Sequence, residues 1–83
     1  MDRILVEIYL PALGRAYDVY IPLAMRLHEV RKLLNHALGE LSGGTVSGNS
    51  ETILCDRETG MPFDINSSAL ELNLKNGSRL MLI

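Results

Sequence analysis

A single cysteine, Cys55, occurs in the 83 residues, so no internal disulfide can form. A secreted domain this small would ordinarily need several, and a reducing, cytoplasmic setting is therefore expected. Charge of one sign is equally scarce. Eight Lys and Arg stand against ten Asp and Glu, a net charge of -2, scattered without blocks, and the electrostatic footprint of a nucleic-acid binder is missing. Long apolar runs are missing too. The opening MDRILVEIYLPALG carries Glu7 inside its aliphatic stretch and has too few apolar residues in succession for a signal peptide or a membrane span. Internal repeats are absent, and the one biased tract is a glycine-rich stretch at 42–50.

The 47% of hydrophobic residues is enough for one core. A chain of this length buries roughly 60–65% of its unfolded surface, which allows one domain over residues 1–83 and either one helix on one sheet or a few helices. Ile4, Val6, Ile8 and Leu10 alternate with Arg3, Glu7 and Tyr9, the period of a strand with one buried face. Turn residues follow at 11–15, and alternation resumes through Tyr17, Val19 and Ile21. The pattern predicts a hairpin closed by Pro22. The period then lengthens. Leu27, Val30, Leu34, Ala37, Leu38 and Leu41 share one side of a helix over about 26–41, and Arg31, Lys32, Asn35 and Glu40 take the other. No Ser, Thr or Asp cap marks its start. A third strand is predicted over Glu51 to Asp56, then an edge strand or irregular stretch containing Pro62 over 61–65, one helical turn over 67–71, a turn at Asn76-Gly77, and a near-continuously apolar strand over Arg79 to Ile83.

This order, with a helix after the first hairpin and an apolar terminal strand, resembles the ubiquitin-like β-grasp fold, an α+β fold with a mixed sheet of four to five strands and one helix packed across it. Tyr17-Asp18-Val19-Tyr20-Ile21-Pro22, the helical stretch Leu27 to Leu41 and the ending Asn76-Gly77-Ser78-Arg79-Leu80-Met81-Leu82-Ile83 are similar to the YukD and EsaB family of ubiquitin-like accessory proteins of Gram-positive type VII secretion. The resemblance implies first and last strands that lie parallel at the sheet centre, with a right-handed crossover. It also implies a cytoplasmic, non-catalytic component that needs no cofactor and docks on a protein partner such as the secretion ATPase or a pseudokinase-like subunit. Modifiers and sulfur carriers of this fold use a flexible Gly-Gly extension after the last strand. No glycine follows Gly77 here, and docking is expected in place of conjugation. An interaction domain of another pathway is the alternative, and a modifier or sulfur carrier is a more distant one.

Other motifs carry less. The tract at 42–50 has the length of a phosphate-binding loop, but Asn49 stands where the lysine belongs and the helix precedes the loop. His28 and His36 are eight residues, or about 12 Å, apart on the helix and cannot share a metal ion. Asp56, Glu58 and Asp64 read as solvated turn charges, and Cys55 as a buried small hydrophobe. The feature with functional promise is a surface. If Ile53, Cys55, Leu80 and Leu82 face the helix, alternation sends Leu54, Met81 and Ile83 to the opposite face beside Leu5 and Tyr9. Those five residues, Leu5, Tyr9, Leu54, Met81 and Ile83, form the expected protein-binding patch, for a partner or for a second copy.

Overall fold

The computed structural model describes residues 3–41 and 52–83, with backbone alone at 40 and 41. The first hairpin follows the alternation. Strand β1 (Arg3–Leu10) pairs antiparallel with β2 (Arg15–Pro22), in register from Arg3 opposite Pro22 to Leu10 opposite Arg15. Ile4, Val6, Ile8 and Leu10 are buried. The connecting turn closes with the Gly14 N–H donating to the Leu10 carbonyl at 2.9 Å, and Gly14 adopts φ 64, a conformation glycine reaches without a Cβ clash.

Helix α1 (Leu27–Leu41) lies over the sheet. It starts without a capping side chain because another segment does that work. The Leu27 and His28 N–H groups donate to the carbonyls of Ser67 and Ile65 at 2.9 and 3.0 Å, which satisfies two of the donors a helix start leaves open. The segment that supplies those carbonyls is itself locally encoded. Ser68 and Glu71 form a reciprocal capping box, Ser68 N–H to Glu71 Oε1 at 2.8 Å and Glu71 N–H to Ser68 Oγ at 3.2 Å. The turn ends at Asn73 with φ 60. Leu74 N–H donates to Ala69 O and Asn73 N–H to Leu70 O, the paired bonds of a Schellman stop.

Leu27, Val30, Leu34 and Leu38 form the buried stripe of α1. Two expectations on this helix are corrected. Ala37 is exposed and Asn35 is buried, because the helix leans toward the chain at Thr52: the Thr52 hydroxyl donates to Asn35 Oδ1 at 2.8 Å, and Arg31, half-buried, donates to the Thr52 carbonyl at 3.1 Å. A polar contact thus covers a flank that hydropathy alone assigns to solvent. Leu41, also expected in the stripe, and the glycine-rich tract at 42–50 lie outside the described side chains.

Strand β4 (Arg79–Leu82) runs parallel to β1 on one side and antiparallel to β3 (Leu54–Asp56) on the other, giving the order β2-β1-β4-β3. The last strand is therefore central, as expected of a strand apolar on successive residues. A type II turn delivers it: Gly77 has φ 89, and the Ser78 N–H closes on the Lys75 carbonyl at 2.9 Å. The Asn76 side chain anchors this turn by accepting the Leu5 N–H at 2.8 Å. The Pro62 region is not a fifth strand but a single bridge to Cys55. Its bonds run from Asp56 N–H to Met61 O and from Phe63 N–H to Leu54 O, so Pro62 occupies the one position whose missing N–H leaves no acceptor unpaired.

Candidate binding face

The face of the sheet opposite α1 is set by the register of β3. Leu54 lies opposite Leu82, Cys55 opposite Met81 and Asp56 opposite Leu80. Leu54, Leu80 and Leu82 point into the core, with Leu54 fully buried. The expectation that Leu54 belongs to the surface patch is thereby corrected, and so is the inward placement of Ile53 and Cys55. Ile53-Leu54-Cys55 is apolar at every position and carries no phase, and a slip of one residue exchanges the two faces.

Ile53 takes the place expected of Leu54. The Ile53 N–H donates to the Ile83 carbonyl at 2.6 Å and the Ile53 carbonyl accepts the Ile83 N–H at 2.9 Å, so the two isoleucines stand directly opposite each other. They are 47% and 52% exposed. Met81 and Tyr9, opposite each other in the parallel pair, continue the apolar surface and are half-buried. Cys55 also belongs to this face, yet Met81 on one side and Pro62 on the other leave it buried. That burial pushes its thiol pKa up by disfavouring the thiolate.

Arg57 divides the face. Its N–H bonds to the Arg79 carbonyl at 3.2 Å, which continues the ladder and turns its side chain outward. The guanidinium then reaches over β4 to lie 4.3 Å from the centre of the Tyr9 ring and to pair with the Glu7 carboxylate. With the two side chains 35% and 31% exposed, the ion pair contributes at most about 1 kcal/mol, and stacking on Tyr9 adds a comparable amount. Leu5 is therefore separated from Tyr9. It belongs to a second apolar lobe with Tyr20, 60% exposed, over which the Arg3 guanidinium sits at 4.7 Å.

The five expected patch residues thus fall in three places: Tyr9, Met81 and Ile83 in one lobe, Leu5 in the other, and Leu54 in the core. Ile53, Arg57 and Tyr20 were not foreseen. The alternation that placed Tyr17 and Ile21 inward could have found Tyr20, but Arg57 depends on a cross-strand register that no local pattern records. Aliphatic side chains around a guanidinium can hold a protein surface. Asp56 and Asp64 build turns, accepting the N–H groups of Glu58 and Asn66 at 2.8 and 2.9 Å. His28 is half-buried and His36 exposed. Among the described residues no group of three His, Cys, Asp or Glu side chains could hold a metal ion, and no helix is long and apolar enough to cross a membrane. The phosphate-loop reading of 42–50 falls outside the described residues.

The fold is ubiquitin-like. It is similar to the ubiquitin-like domain of the type VII secretion system protein ECCD1 of Mycobacterium tuberculosis, with a TM-score of 0.78 and 17% identity over 100% of this chain and 99% of that one. It is also similar to an N-terminal ubiquitin-like domain determined in solution, with a TM-score of 0.75 and 13% identity over 99% of this chain and 74% of that one. A third likeness is to a chain of an ESX-5 inner membrane complex, with a TM-score of 0.74 and 19% identity over 100% of this chain and 21% of that one. No family model matches the sequence. Comparison with curated proteins likewise finds no match.

Proposed function

We propose that this protein is a non-catalytic accessory component of a type VII secretion system, of the Gram-positive YukD and EsaB kind, acting in the cytoplasm by docking on another component of the machine. The observation that carries the reading is the lobe of Tyr9, Met81, Ile53 and Ile83. Two facing isoleucines about half exposed, beside a methionine and a stacked Tyr-Arg pair, make a surface suited to burial against another protein. Likenesses to parts of type VII secretion systems support that setting. The secretion ATPase and the pseudokinase-like subunit are the partners to test. Ile83→Asp and Met81→Asp should abolish capture of the partner while leaving the far-UV circular dichroism unchanged. Capture that survives both would move the site off this face.

A second reading is an interaction domain of another pathway, which the likeness to a ubiquitin-like domain of no stated secretion role favours. Gene neighbours separate the two. A secretion ATPase and WXG-type substrates encoded alongside support the first reading, and their absence supports the second.

A further inference from the structure

The two edges of the sheet are finished differently. Beyond β3 the chain folds back, and the bridge from Cys55 to Pro62 covers that edge with a residue that has no N–H to offer. Among the described residues the β2 edge has no such cover along its eight residues. Its open groups can be named from the bonds of β1. Leu5 N–H donates to Asn76 Oδ1, Leu5 O accepts from Gly77, and Glu7 N–H donates to Ser78 O, so the odd residues of β1 turn their backbone groups toward β4. The even residues therefore bond β2, where their partners are Ile21, Val19, Tyr17 and Arg15. Alternation leaves the N–H and C=O groups of Ala16, Asp18 and Tyr20 pointing out of the sheet. Among the described residues nothing pairs with them.

We propose that this edge pairs with the same edge of a second copy, antiparallel about Val19, to form one continuous sheet across two molecules. A row of alternating outward donors and acceptors is matched by another extended backbone. Charge selects the register. Pairing about Asp18 would set two carboxylates directly opposite each other, which is repulsive. Pairing about Val19 instead sets Asp18 against the partner's Tyr20, the residue that carries Arg3 over its ring at 4.7 Å. Each carboxylate then meets the cation of the other molecule. On the helix side Val19 faces its own copy and Tyr17 faces the partner's Ile21, so the exposed remainder of two half-buried side chains is covered. Pro22 ends the ladder, because it can accept from the partner's Ala16 but cannot donate. This surface is separate from the lobe around Met81, so the two interactions can occur together.

The test is the oligomeric state of the full chain by sedimentation velocity across micromolar to millimolar concentrations. A monomer-dimer equilibrium is expected, with slower amide exchange at Ala16, Asp18 and Tyr20 as the dimer fills. Asp18→Pro removes only an outward N–H, leaves the β1–β2 ladder intact and should favour the monomer. Asp18→Arg, which keeps the backbone, should raise the dissociation constant about tenfold or more by placing like charges together, and Arg3→Asp added to it should restore the dimer. Met81→Asp should leave the equilibrium unchanged. A monomer at every concentration, or a dimer indifferent to Asp18→Arg, overturns the proposal. So does a dimer lost through Met81→Asp alone.

Discussion

The one-residue phase of β3 can be tested by comparing Leu54→Ala with Ile53→Ala. Leu54 is fully buried in the core and Ile53 is 47% exposed to solvent, although the two are adjacent in sequence. Deleting the Leu54 side chain removes a well-packed leucine and leaves a cavity beneath Leu82, at a cost of about 3 kcal/mol within the usual range for such changes. The Ile53 truncation loses only a half-buried surface and some strand preference, at most about 1 kcal/mol. For 83 residues the whole stability is about 4–12 kcal/mol, so the first change removes a large share of it. Each kcal/mol moves the melting temperature of a domain this size by about 4–8 °C. Leu54→Ala should therefore melt roughly 12–24 °C below the parent, and Ile53→Ala within about 8 °C of it. Thermal and urea unfolding followed by far-UV circular dichroism give both values, and an unchanged urea slope confirms that folded stability is what changed. Ile53→Ala costing as much as Leu54→Ala would refute the assigned register and return Leu54 to the surface patch.

Ser68→Ala removes the hydroxyl that accepts the Glu71 N–H, leaves the backbone arm from Ser68 N–H to Glu71 Oε1 in place, and should cost about 0.5–2 kcal/mol in urea unfolding, because the same segment holds the start of α1. Gly77→Ala should destabilise by more than about 1 kcal/mol. Since no atom lies within 4 Å of the added Cβ, the cause is the positive φ alone, and Gly77→Asn should recover part of the loss. Cys55 should react with iodoacetamide far more slowly in the folded protein than in urea. Its thiol pKa is raised by burial, so the folded state holds its proton where the unfolded chain has lost it. Stability should therefore fall as pH rises above the ordinary thiol range, near ~8.5, and be unaffected below it. Cys55→Ala should flatten that part of the stability profile, and an unchanged slope would argue against the buried placement.

Local pattern was sufficient wherever one residue type alternated with another. Ile4, Val6, Ile8 and Leu10 declared their buried face, the spacing of Leu27, Val30, Leu34 and Leu38 declared the helix, and Asn76-Gly77 declared the turn that leads to β4. Each of these signals depends on residues within a few positions of one another, where backbone geometry alone sets the period. The central place of β4 could be inferred because four consecutive apolar residues suit a strand with neighbouring strands on both sides. Four further features depended on which distant segments meet. Ile53-Leu54-Cys55 is uniformly apolar, and only pairing with Leu82 and Met81 chose which of the three entered the core. Asn35 became buried because Thr52 supplied a hydroxyl, and α1 needed no cap of its own because Ile65 and Ser67 brought carbonyls to it. The division of the binding face by Arg57 requires β3, β4 and β1 to lie side by side, so that one guanidinium reaches Glu7 and Tyr9 some fifty residues earlier in the chain. Periodicity is a local property and is written in the sequence. Register and cross-strand contact are long-range, and packing alone decided them.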